Sequence, residues 1–116
     1  MKKIKFLVFV LLVTSITLIS CESENINQLN IMGKWISTDK NDTLNFVDNN
    51  NFYKNGDNFN YRLDGDLIEV KYNGKLFVLV NPTKHRYSLD DNVLIIDFSN
   101  EICYGFDLQK VTYIKK

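Results

Sequence analysis

From Gly33 onward, apolar side chains recur at every second position between clusters of turn formers, and nowhere do they recur at spacings of three and four over a useful length. Successive side chains of a strand point to opposite faces, so this period calls for β structure and leaves no amphipathic helix to build on. Gly33 to Thr38 reads as a first strand, and Asp39-Lys40-Asn41-Asp42 as the turn after it. Leu44 and Phe46 then share a face, Asp48-Asn49-Asn50-Asn51 turns, Phe52 and Tyr53 begin a strand, and Asn55-Gly56 suits a tight hairpin.

The pattern continues through the second half. Phe59, Tyr61 and Leu63 alternate with polar residues, Asp64-Gly65-Asp66 turns, and Leu67 to Tyr72 returns. Asn73-Gly74 predicts a hairpin into Lys75–Val80, whose Leu76-Phe77-Val78-Leu79-Val80 run is apolar on both parities and so needs cover on both faces or a contact. Pro82 ends it, because proline cannot donate to a ladder. His85–Leu89 and Val93–Phe98 form a hairpin around Asp90-Asp91-Asn92. Ile102, Tyr104, Phe106 and Leu108 then mark the apolar face of a last long strand that Val111–Ile114 continues. Eight or nine short strands joined by tight turns predict an all-β domain, an up-and-down antiparallel β-barrel or a strongly curved meander that hides its edges. The aromatic load, 13% of the chain, is enough to fill the interior of so small a barrel.

Ahead of this domain, Lys2, Lys3 and Lys5 precede an apolar run that starts at Phe6 and reaches Ile19. Such a run is shorter than the roughly 20 residues of a stable span, so it reads as a signal peptide rather than an anchor. Leu18-Ile19-Ser20-Cys21 resembles the lipobox of bacterial lipoproteins, which implies cleavage before Cys21 and a diacylglyceryl thioether on its sulfur. The expected organisation is a signal peptide over 1–20, a lipidated flexible tether over 21–30 and a β domain over 31–116. Glu22 and Glu24 loosely resemble the acid-rich export signal of Bacteroidetes lipoproteins, which implies the cell surface; a solvated linker facing the periplasm is the plain alternative.

Charge and reactive side chains narrow the function. Loss of Lys2, Lys3 and Lys5 with the leader leaves 11 basic against 14 acidic side chains, a formal charge of −3, which argues against nucleic acid and anionic membrane surfaces as partners. With Cys21 acylated, Cys103 has no partner in the chain, so no disulfide is expected and Cys103 reads as a small buried or sheet-face residue. His85 is the one histidine. It cannot build a multi-histidine zinc site, and beside a turn it is expected to face solvent rather than act in catalysis. The Asp64/Asp66 and Asp90/Asp91 pairs flank turn residues and need no acid–base or calcium role. The tyrosines read as core or sheet-face fillers. No catalytic residue, metal site or cofactor is expected.

Ile31-Met32-Gly33-Lys34-Trp35 resembles the Gly-x-Trp opening of lipocalin-like domains. Thr43-Leu44-Asn45-Phe46, Tyr61 to Ile68, and Tyr87 to Ile96 are similar to stretches of the small lipocalin-like lipoproteins of Bacteroidetes, and the likeness covers most of residues 31–114. It implies a barrel closed at one end by Gly33 and Trp35, with Lys110 as the positional candidate for the basic residue that covers the tryptophan. The Thr-Asp-Tyr-like motif of larger lipocalins is absent from the sequence. The resemblance implies binding rather than catalysis: an envelope lipoprotein, held to the outer membrane through Cys21, with its ligand unnamed, that holds a small apolar ligand or a protein at a barrel mouth or an exposed face. The alternative is a protein–protein interaction or inhibitor module using loops such as 39–42 and 49–57.

Overall fold

The computed structural model describes residues 26–116; the expected leader over 1–20 and the expected lipidation position Cys21 lie outside them. Eight strands follow in chain order: β1 (Gly33–Ser37), β2 (Thr43–Phe46), β3 (Asn51–Lys54), β4 (Asp57–Asp64), β5 (Leu67–Tyr72), β6 (Thr83–Asp90), β7 (Val93–Asp97) and β8 (Lys110–Lys115). Each pairs antiparallel with its chain neighbours, and β1 also pairs with β8, so the sheet closes into an up-and-down barrel. The seam sets Trp35 opposite Lys115, Ile36 opposite Ile114 and Ser37 opposite Tyr113. Closure leaves no strand edge open to another chain.

The two-residue period decides which side chains enter. Along β5, Ile68, Val70 and Tyr72 are buried; along β6, Thr83, His85 and Tyr87 are buried while Lys84, Arg86 and Ser88 stay outside. Leu94 and Ile96 enter from β7. Register then stacks rings across strands. Phe46 lies opposite Phe52 and Phe52 opposite Phe59, so their rings stack at 4.9 and 5.1 Å, and Tyr61 meets Phe46 edge-on at 5.0 Å. Such contacts add about 0.5–1.5 kcal/mol each beyond burial.

Two expected strands are loops. Residues 75–80 lie outside every ladder, because β6 pairs directly with β5 from Val70 opposite Thr83 to Leu67 opposite Arg86. With β4 on its other side, β5 has no edge left for the Lys75–Val80 run, and the Asn73-Gly74 hairpin does not form. Likewise, β8 begins at Lys110 opposite Asp97, so 98–109 is excluded from the sheet, and Val111–Ile114 belongs to a separate strand. The expected face of this segment is also reversed in part: Cys103 is buried, Phe106 is partly buried, and Ile102, Tyr104 and Leu108 are exposed.

The alternating direction of the strands gives the barrel two unlike ends. One carries the start of β1, the short connections β2–β3, β4–β5 and β6–β7, and the end of β8; we call it the N-terminal end. The other, the loop end, carries the β1–β2 and β3–β4 turns and the two long loops 73–82 and 98–109.

Candidate functional site

At the N-terminal end the barrel is plugged. Trp35 is 0% exposed, and its Nε1–H donates to the carbonyl of Ile31 at 2.8 Å, which turns residues 31–33 back across the opening. Gly33 makes that bend at φ +110°, a conformation that a side chain would strain. Residues 26–30, expected to belong to a flexible tether, form instead a helical turn fastened to the rim. The Gln28 amide donates to the Tyr61 hydroxyl at 2.7 Å, which in turn donates to the carbonyl of Asp48 at 2.7 Å, and the Asn27 amide reaches the Tyr87 hydroxyl at 3.4 Å. Paired amides and the buried Ile31 give residues 26–31 tertiary contacts.

The cation over the plug is Lys115, not Lys110. The ammonium of Lys115 stands 5.4 Å from the Trp35 ring centroid and donates to the carbonyl of Asn30 at 3.2 Å. Lys110 sits at the opposite end of β8, exposed and paired with Asp97. Two lysines on one strand are equivalent in sequence; the β1–β8 register, which places Lys115 opposite Trp35, separates them.

The loop end is closed by the 98–109 segment. Phe106 stacks on Phe98 at 4.2 Å, meets Phe59 edge-on at 5.4 Å, and carries the ammonium of Lys54 over its outer face at 4.7 Å. Lys54 also donates to the carbonyl of Gly105 and lies 3.7 Å from Asp42. Gly105, at φ +89°, lies so close to the core that an added Cβ would stand 2.8 Å from Phe59 Cζ. Only glycine lets the backbone approach that far.

His85, expected at the surface, is 0% exposed and holds this plug in place. Its Nε2 lies 2.7 Å from the Thr83 hydroxyl and its Nδ1 3.2 Å from Asn100 Oδ1, while the Asn100 amide donates to the carbonyl of Lys84 at 3.2 Å. An Nδ1–H donor to Asn100 leaves Nε2 to accept from Thr83, so both ring nitrogens are satisfied without charge. Cys103 lies beside Thr83, but burial pushes its thiol up, the reverse of what a nucleophilic thiolate requires. A cysteine, a threonine, a histidine and an asparagine thus converge as an anchor for the loop. Thr83 and His85 share the inward face of β6 two residues apart, but nothing in sequence links them to Asn100, which reaches His85 only through β6–β7 pairing.

The two long loops of the loop end expose large apolar side chains among polar ones. Phe77 is 99% exposed, Leu79 96%, Ile102 79% and Leu76 62%, and Leu108, Val78 and Tyr104 are exposed beside them. A cleft of about 340 Å³ runs between the two loops, lined by Lys54, Asp57, Phe59, Tyr72, Leu76 and Tyr104. Its aromatic wall is Tyr72 against Tyr104 at 4.8 Å, and the Tyr72 hydroxyl accepts from the amide of Leu76, which roots the 73–82 loop. No protein-family model, curated protein or solved structure matches the chain. The chain forms a closed eight-stranded antiparallel barrel, and its site must be read from its own surface. Of the sequence-predicted residues, Gly33 and Trp35 meet at one end, Lys110 does not join them, and Cys21 lies outside the described residues. Among the described residues no group of three His, Cys, Asp or Glu side chains could hold a metal ion, and no helix is long and apolar enough to cross a membrane.

Proposed function

We propose that this chain is an envelope lipoprotein, anchored through an acylated Cys21, whose lipocalin-like barrel serves as an interaction module that docks a protein partner on its loop end. The observation that carries the reading is the gathering of seven large exposed apolar side chains, Leu76, Phe77, Val78, Leu79, Ile102, Tyr104 and Leu108, on the two loops farthest from the N-terminal plug. Large apolar side chains exposed together at one end of a barrel are the kind of surface that marks an interaction site. The interior supports a docking role over a deep calyx: Trp35 and Phe106 stop the two ends, and Phe46, Phe52, Phe59 and Tyr61 occupy the middle. Residues 26–30 lie at the opposite end, so a tether joined to them would turn the loops away from the point of attachment.

A second reading, binding of a small apolar ligand at the mouth, is favoured by one specific feature, the aromatic cleft of Phe59, Tyr72 and Tyr104 with Lys54 at its rim. Native mass spectrometry of the full chain taken from its own host in detergent separates the two. A protein-bound species lost on Phe77→Ser supports docking, and a small-molecule adduct lost on Tyr72→Ala supports the cleft. The same spectrum tests the anchor, since Cys21→Ala should remove the diacylglyceryl mass; an unacylated parent would overturn it.

A further inference from the structure

The helical turn over residues 26–30 sets its polar side against the barrel and its apolar side toward solvent. Asn27, Gln28 and Ile31 share the inner face: the two amides reach the Tyr87 and Tyr61 hydroxyls at 3.4 and 2.7 Å, and Ile31 is fully buried. Ile26 and Leu29, three residues apart, share the outer face and are 52% and 72% exposed. The Tyr61 hydroxyl also donates to the carbonyl of Asp48, which ties the turn to the β2–β3 connection, where Val47 is exposed at the same end. A turn packed on a barrel and surrounded by water has the reverse polarity, apolar side in and polar side out. We propose that Ile26, Leu29 and Val47 form a lipid-facing foot, which rests the N-terminal end of the barrel in the headgroup layer of the membrane that holds the Cys21 acyl chains. This placement rests on the acylation of Cys21 in the proposed function and names what the end opposite the loops touches.

Three observations favour lipid as the occupant. Ile26 follows Cys21 by five residues of chain, which span at most about 17 Å whatever their conformation. Acyl chains on Cys21 therefore hold this end within reach of the interface, and contact becomes an intramolecular event that a few apolar side chains can sustain. Next, the turn has its backbone paired before it meets a less polar medium. The amide of Ile31 donates to the carbonyl of Asn27 at 3.0 Å, that of Met32 to Leu29 at 3.4 Å, and the Lys115 ammonium to the carbonyl of Asn30 at 3.2 Å. Finally, the area is too small for a protein partner, because three partly exposed side chains fall well short of the roughly 1,000 Å² of a specific protein interface. Charge selects the kind of lipid. The short connections of this end carry Asp48, Asp64, Asp66, Asp90 and Asp91, and the Lys115 ammonium is engaged by Asn30 and Trp35, so the foot fits a zwitterionic headgroup surface rather than an anionic one.

Fluorescence quenching tests the foot on the full chain, taken from its own host and reconstituted into vesicles of phosphatidylcholine and phosphatidylethanolamine. Leu29→Cys and, separately, Phe77→Cys carry a thiol-linked environment-sensitive dye, with nitroxide-bearing lipid as the quencher. The parent, whose Cys103 is buried, is the labelling blank. The Leu29 label should be quenched several-fold more than the Phe77 label at the opposite end. Adding Ile26→Asp to the Leu29→Cys chain should remove most of that difference without moving the unfolding midpoint, because the Ile26 side chain is largely in solvent. Equal quenching at the two ends, in a chain whose intact mass carries the diacylglyceryl group, would overturn the foot and leave the anchor standing. A Leu29 label that is blue-shifted but unquenched would put a protein in place of lipid and overturn it as well. An intact mass without the acyl group would overturn the anchor and the foot together.

Discussion

The two ends of this barrel solve the same problem in opposite ways. At the N-terminal end, apolar closure is internal: Trp35 and Ile31 are fully buried, and each polar group that the closure strands is paired, the indole with the Ile31 carbonyl and the Lys115 ammonium with the Asn30 carbonyl. At the loop end, closure by Phe106 and Cys103 is accompanied by apolar side chains that no described residue covers. The first end leaves Ile26, Leu29 and Val47 exposed around a buried plug; the second exposes seven large apolar side chains on two loops. With the loop end docking a partner as proposed, stability and interaction separate along the barrel axis, and substitutions at the two ends should separate them in measurement.

The largest effect belongs to Trp35. Trp35→Ala leaves a cavity at the plug and strands the Ile31 carbonyl, so denaturant unfolding should show a loss of about 3–5 kcal/mol. An unchanged midpoint would mean that the N-terminal end does not close the core. At the loop end, Phe106→Ala removes stacking on Phe98 and Phe59 and the platform under Lys54, but the ring is only partly buried. Its cost should be lower, about 2–3 kcal/mol. A larger loss than for Trp35→Ala would reverse the ranking of the two ends.

Tyr113 sharpens the comparison from between the plugs. Its hydroxyl is buried without a hydrogen-bond partner, and desolvation, aided by Asp42 and Asp39, holds its ionisation well above the ordinary tyrosine range. The unfolded chain ionises Tyr113 near pH 10, the folded barrel only above that. The neutral form that the barrel requires is thus free below about pH 10, and stability falls as pH rises beyond it. Tyr113→Phe should raise stability at neutral pH by about 1 kcal/mol, because the unsatisfied hydroxyl is gone, and should make the alkaline slope shallower. Tyr61 and Cys103, also raised by burial, keep part of that slope. A loss of stability at pH 7 would show that the hydroxyl is needed.

Lys115 and Lys110 give a finer contrast on one strand. Lys115→Ala should cost about 0.5–1 kcal/mol through the lost contact with Trp35, and Lys110→Ala almost nothing. Equal effects would remove Lys115 from the closure.

How much of this was legible in the sequence follows from what alternation can encode. Parity reads which residues enter a strand, so Trp35, Phe46, Phe52, Phe59, Tyr61, Ile68 and Val70 were recoverable, as were the turns at 55–56, 65–66 and 91–92. Parity does not read whether a β-like segment finds a neighbour. Lys75–Val80 and the 102–109 stretch carry strand patterns as good as β5 has, and both are loops because the barrel closed with eight strands and each already had two neighbours. The same ignorance of register hid the candidate site. Lys115 over Trp35, and His85 between Thr83 and Asn100, depend on which residues face across a ladder. One trace of the loop end was visible beforehand: a run apolar on both parities demanded cover on both faces, and it is the stretch that lies uncovered.

The smallest effect on stability is also the sharpest division between the ends. Phe77 and Leu79 are almost wholly in solvent, so removing their side chains takes nothing from the core. Phe77→Ser and Leu79→Ser should each shift unfolding by no more than about 0.5 kcal/mol in either direction. Solution association should respond far more strongly, because a side chain that is exposed in the free barrel and buried in a complex contributes its whole transfer free energy to docking, about 1.5–3 kcal/mol. The measurement is a paired one: unfolding midpoint and complex formation on the same protein. Stability retained with association lost places the function of the loop end outside the fold. Stability lost by several kcal/mol would instead mean that these side chains pack into the barrel in solution, and the contrast between the two ends would collapse.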